Sequence, residues 1–257
     1  MARVACLILT LLYSINVNAT ADTWLDPSFV RNAFLDVALK NEYSQGDKPL
    51  VKWRQPIKIW VKHKVGDQPL HDELVDAHIS HLQQIIQHPI SRVNSRHEAN
   101  IIWLFTRESL WQQDIRQEIG QHALKNLRGA ICKAGYTLSP VDQQIVHAAI
   151  IIPVDQSRAH GKLLACVVEE ITQVLGLPND SELAYPSIFN DHTPDDLLSP
   201  LDVVLLKLLY EPELISGMNR QQVINVLDKL ILRYQREGIL DNAVNVARSA
   251  PLRKMLQ

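Results

Sequence analysis

The stretch Cys166-Val167-Val168-Glu169-Glu170-Ile171-Thr172-Gln173-Val174-Leu175-Gly176-Leu177-Pro178-Asn179-Asp180 begins as an apolar helix and ends in a forced turn. Residues four apart on a helix lie one above the other, so Glu169 and Gln173 share a face. Gly176 tolerates the left-handed backbone that commonly ends a helix, and it lets the chain turn so that Asn179 comes back toward that face. Glu170 sits beside the face on the same turn. Polar groups converging on one point, with a carboxylate next to them, have the geometry of a metal site with a general base.

Working outward, the preceding residues alternate between helical and extended patterning. Pro27 to Tyr43 carries Phe29, Ala33, Phe34, Val37 and Ala38 at helical spacing, and Leu70 to Gln87 does the same with Leu74, Val75, Ile79, Leu82, Ile85 and Ile86. Ile57 to Val61 (IKIWV) reads as a strand, and Asn100 to Phe105 (NIIWLF) as a strand buried on both faces. Glu108 to Leu127 is mixed and reads as helical. Gly129 to Lys133 and Ile145 to Pro153 read as two further strands joined by a turn through Ser139-Pro140, and Lys162 to Leu175 is the helix ended by Gly176. The expectation is one α/β (α+β) domain with a mixed sheet and a helical C-terminal part. A helix starting near Asn219 (RQQVINVLDKLILRY) is amphipathic and carries no chemical signature. No internal repeat at a period of about 20 to 50 residues is evident.

The N-terminus reads as an address. Arg3 precedes an apolar run from Val4 to Ile15, which is shorter than the roughly 20 residues needed to span a bilayer. Val17-Asn18-Ala19 and Ala19-Thr20-Ala21 are both small-residue cleavage patterns, so residues 1–19 are expected to be a secretory signal peptide with the mature chain starting at Thr20 or Asp22. The competing reading is an uncleaved anchor, but no stop-transfer pattern follows. The protein is therefore expected to be secreted, with a periplasmic location, and to keep no stable membrane span after cleavage. Of three cysteines, Cys6 leaves with the signal, and Cys132 and Cys166 are expected to pair in an oxidising compartment. Buried free thiols are the alternative.

The full chain of 257 residues has 26 Lys+Arg against 28 Asp+Glu, a net charge of -2, with 46% hydrophobic and 21% charged residues. Losing Arg3 and no acidic residue takes that balance to -3. Near-neutrality argues against a nucleic-acid or polyanion partner. No GxSxG elbow, P-loop or GxGxxG motif appears, so hydrolase and nucleotide readings have no anchor.

The helix and its turn resemble the metzincin zinc peptidases, whose HExxHxxGxxH pattern reads here as EExxQxxGxxND. The resemblance puts Glu170 in the position of the catalytic base and keeps the glycine as Gly176. It puts Glu169, Gln173 and Asn179 where the three zinc-binding histidines would be. Pro186-Ser187-Ile188-Phe189-Asn190 resembles the family's Met-turn, with Phe189 in place of methionine, and Leu198-Ser199-Pro200-Leu201-Asp202 resembles the start of a matrixin-type closing helix. Together, the EExxQxxGLxND helix, the SIFND turn and the D...LLYxP segment resemble a family of secreted and lipoprotein-type proteobacterial proteins without an assigned function. The resemblance implies a zincin-like domain over residues 20–218, with residues 219–257 as a C-terminal helical extension.

The replaced histidines change the expected chemistry. Imidazole suits zinc, whereas the amide oxygens of Gln173 and Asn179 are weak, hard donors. Without zinc nothing lowers the pKa of an attacking water, and Glu170 has little nucleophile to activate. The favoured reading is a metal-free, hydrogen-bonded cluster in a cleft that binds an extended peptide or an envelope protein, with no cofactor. The alternatives are an oxygen-rich divalent-cation site using Glu169 with Glu170, Asp180 or Asp191, and a metallopeptidase with Glu170 as base. A glycosidase-like acid and base at 169 and 170 fits poorly, because helix neighbours diverge by about 100°. His160 and His192 flank the motif, and either can supply a displaced ligand or proton shuttle; water-exposed loop positions are the simpler expectation. His71, His78, His81 and His88 are expected on a half-exposed structural face of the second helix, and Trp24, Trp53, Trp60, Trp103 and Trp111 in the core.

Overall fold

A computed structural model describes residues 23–40, 46–127 and 129–256. The signal peptide and its two cleavage positions lie outside the described residues.

Four strands, β1 (Ile57–His63), β2 (Ile90–Arg92), β3 (Ile101–Thr106) and β5 (Ile145–Pro153), run parallel, and β4 (Lys133–Leu138) runs antiparallel to β5 at one edge. The order across the sheet is β2-β1-β3-β5-β4. Every residue of β3 is buried, because both faces are covered. Ile101, Trp103 and Phe105 face the main core with α1 (Pro27–Leu39), α2 (Gln68–Ile86) and α5 (Leu163–Val174). Ile102 and Leu104 face a smaller core with Ala149, Ile151 and α3 (Glu108–Glu118), from which Trp111 and Ile115 project. This arrangement explains the unbroken apolar run of β3. The molecule is mixed α/β, as the alternation of patterns implies.

Two connections hold the site helix in place. The short α4 (Val154–Ala159) follows β5 directly and leads into α5. At the far end Gly176 has φ +122°, and a Cβ there would lie 2.2 Å from the Val51 carbonyl oxygen, so only glycine fits the turn. Beyond it, α6 (Pro200–Leu209) packs on α1 and α2, α7 (Arg220–Arg236) on α1, α8 (Ile239–Arg248) on α6, and α9 (Pro251–Met255) on α2. No helix among the described residues is long and apolar enough to cross a membrane.

Several local expectations shift. The strand expected at Gly129 to Lys133 lies at Lys133–Leu138, since the apolar run Ala130-Ile131-Cys132 is a loop crossing toward α5. Glu108 to Leu127 splits at Gly120, where φ +124° ends helical geometry and a 3-10 segment (Gln121–Asn126) follows. The histidine face of α2 is not half-exposed: His71, His78 and His81 are all buried, and His88 lies beyond the helix end. Trp24, Trp53, Trp103 and Trp111 are buried and Trp60 is partly buried, as expected of core residues.

Candidate functional site

The site grows from α5. Its residues Ala165, Cys166, Val167, Val168, Ile171, Thr172 and Val174 are buried, which turns Glu169 and Gln173 toward a cleft as half-buried side chains. Gln173 Nε2 donates to Glu169 Oε1 at 3.3 Å. Glu170, one position along, is 5% exposed.

After Gly176 the chain returns, and it delivers Asp180. Gln173 Nε2 reaches Asp180 Oδ1 at 3.5 Å, at the limit of a hydrogen bond. Asn179 is held against α1 instead: its backbone N–H donates to the Val37 carbonyl, and its amide Nδ2 donates to the carbonyls of Asp36 at 3.1 Å and Asp180 at 2.7 Å. The cluster the structure assembles is therefore Glu169, Gln173 and Asp180. The sequence points to Asp180 only as an accessory. Adjacent residues in an extended segment face opposite ways, and the anchoring of Asn179 to α1 decides which one faces the cleft.

The turn from Pro186 to Asn190 forms another wall. Its Tyr185–Pro186 peptide bond is cis, and Phe189 is fully buried beneath it. The organising residue is Asp202 at the start of α6. It accepts hydrogen bonds from Ser187 Oγ (2.5 Å), Ile188 N (3.0 Å) and Ser199 N (2.7 Å), while Ser199 caps the helix reciprocally. Complete burial pushes the Asp202 carboxyl up to about 6, against the pull of these bonds. Asn190 Nδ2 donates to the Ser181 carbonyl and its Oδ1 accepts from His192 N, which closes the wall. The sequence marks Leu198 to Asp202 only through its resemblance to the start of a closing helix; the capping box and the hold of Asp202 on the turn are contacts the structure adds.

On the opposite side lies the segment Gly129 to Lys133, which enters β4. Cys132 and Cys166 form a disulfide with Cα atoms 5.9 Å apart, tying this segment to α5 one turn ahead of Glu169 and Glu170. β4 pairs with β5 on one side only, and its other edge carries no strand among the described residues.

Together these elements enclose a cleft of about 400 Å³, whose lining includes Lys133, Glu169, Glu170, Gln173, Asp180 and Asp191. His160 and His192 are exposed and do not line it, and neither do Asn179 and Phe189. Among the described residues no group of three or more His, Cys, Asp or Glu side chains is placed to hold a metal ion. The donors that do meet are a carboxylate, an amide and a second carboxylate, a set suited to oxygen-preferring partners rather than to zinc.

A family described as a protein of unknown function (DUF2927) matches residues 27–229. No curated protein and no solved structure matches the chain.

Proposed function

The chain belongs to that family of proteins of unknown function, and from its cleft we propose that it is a secreted, zincin-like protein that binds an extended peptide or envelope-protein segment without hydrolysing it. The observation that carries this reading is the position of β4 at the end of the sheet beside the cleft, with no further strand paired to it among the described residues. Such an edge offers a row of backbone donors and acceptors that an incoming strand can satisfy, with the cleft receiving alternate side chains.

The zinc implied by the metzincin resemblance does not fit the residues present. Asn179 spends its amide N–H groups on two carbonyls and stands outside the cleft, and Gln173 and Glu169 bond to each other. Glu170 remains at the position of a base, buried in the cleft wall. The zincin-like reading draws support from the single antiparallel edge strand, the helix and glycine turn, and the buried turn held by Asp202. The disulfide supports an oxidising compartment, secreted or periplasmic.

Metal content and peptide binding of the purified protein test this reading together. The expected result is peptide binding that survives EDTA, with the peptide recovered intact. Stoichiometric divalent metal that is lost in Glu169→Ala, accompanied by cleavage of the peptide, would replace the reading with that of an atypical metallopeptidase.

A further inference from the structure

The start of α2 is anchored to the sheet through a histidine. Gln68, Pro69 and Leu70 are exposed, and His71 is the first residue of the helix to be buried, at 0% exposure. Its ring lies 4.5 Å from Phe105 and 5.6 Å from His63, centroid to centroid and nearly parallel to both, at the ends of β3 and β1. Both ring nitrogens of His71, and Nε2 of His63, have no hydrogen-bond partner among the described residues. An imidazole in such a place is stable only while neutral, because burial penalises the charged form and no acceptor receives the extra proton.

The charged groups around the two histidines are committed to one another. Asp72 Oδ1 stands 3.8 Å from His63 Nε2, outside hydrogen-bond reach, and 2.8 Å from Arg92 on β2. Asp67 Oδ2 lies 2.7 Å from Arg158 on α4. Lys62, next to His63 on β1, adds a further positive charge. Burial, with these cations acting in the same direction, keeps His63 below its ordinary value and His71 at about 4. The chain enters α2 through Gly66 and Asp67. Asp67 has φ +58°, a left-handed conformation that a non-glycine residue adopts at a cost, and its carboxylate makes no cap bond to the helix and holds Arg158 instead.

We propose that this junction is an acid-operated latch: on taking protons, His71 and His63 repel each other and leave their buried stack, the first turns of α2 lift from the ends of β1 and β3, and the Asp67–Arg158 tie to α4 opens, while the centre of the sheet stays folded. Well above pH 6.5 both rings are neutral in the closed and the open form, so pH has no hold on the latch. As pH falls from 6.5 toward 4, the open form binds protons that the closed form refuses. Opening then becomes more favourable by up to about tenfold per pH unit for each histidine. Because α4 leads into α5, the latch connects acidity to the segment that carries the cleft helix.

Amide hydrogen exchange on the intact, oxidised protein, corrected for the intrinsic pH dependence of exchange, tests the latch. The expected result is that protection across residues 66–75 falls by at least about tenfold between pH 6 and pH 5, while protection in β5 holds. His71→Phe keeps an aromatic ring in the stack that cannot take a proton, and it is expected to remove most of that fall. His63→Gln is expected to make the fall shallower, and it keeps the test open if the phenylalanine variant does not fold. Arg158→Gln breaks the tie without touching the histidines; it is expected to lower protection at every pH with the slope kept. Protection of residues 66–75 that does not change with pH, that falls only in step with β5, or that falls equally in the unsubstituted protein and both histidine variants overturns the latch.

Discussion

Gly176 and Asp202 are the residues on which the cleft depends most. Gly176 combines a positive φ with a carbonyl oxygen 2.2 Å from where a Cβ would stand, and the neighbour is backbone that cannot swing away. Gly176→Ala is expected to cost at least about 2 kcal/mol, read as a lowered denaturation midpoint with the same slope. An unchanged midpoint would mean the turn relaxes freely. Asp202→Ala leaves Ser187, Ile188 and Ser199 without their acceptor and is expected to cost about 3 kcal/mol, since buried donors lose their partner with no water to replace it. Calorimetric unfolding of the variant checks this. At this scale the glycine was legible from the chain, because helix ends require it. Asp180 was not ranked correctly, because the contact that turns Asn179 away is with α1, 143 residues earlier in the sequence.

At the scale of elements, the best-read parts were those whose environment imposes a strong pattern. β3 and β5 are central strands and read as apolar runs; α5 reads as an apolar helix with a polar stripe. The errors lie at the sheet edges. β2 is three residues long and went unread, and β4 is a run of small and polar residues (KAGYTL), placed after the apolar run that had suggested a strand. An edge strand has a single partner and one solvated side, so side-chain type constrains it little. Within β4, Gly135 has a structural reason, since a Cβ there would meet Ile119 at 2.5 Å. The disulfide holds the entry of this strand to α5. Its removal in a Cys132→Ser, Cys166→Ser double variant is expected to cost about 3 kcal/mol on a chain-entropy estimate, measured by chemical denaturation. The same stability with and without the bond would show that packing alone positions the segment.

Across the whole molecule, histidine burial sets the response to acid. His63, His71, His78, His81, His88 and His147 are all shifted downward, chiefly by burial, with His71 lowered to about 4 and His78 to about 3. His71 clusters with His63 and Phe105, its ring centroid 5.6 Å and 4.5 Å from theirs, and its ring nitrogens have no hydrogen-bond partner. A side chain kept neutral when folded, yet free to take a proton near 6.5 when unfolded, favours the unfolded chain in acid. Stability from these groups is complete above pH 6.5 and declines as pH falls through that value toward 4 and 3. Asp202 works in the opposite direction: its raised carboxyl favours the folded chain as pH drops below about 6. One such group against six histidines leaves a net loss, so the melting temperature is expected to fall steadily from pH 7 to pH 4. A flat profile would show that the buried imidazoles are relieved by water.

The peptide-binding account makes its most direct claim about the edge of β4, and amide hydrogen exchange on the intact protein measures that edge. With EDTA present and a bound linear peptide at saturation, the account predicts slowed exchange at the outward-facing amides of Lys133–Leu138 and across the segment lining the cleft just before it. Protection confined to other surfaces, with exchange along β4 unchanged, would contradict it.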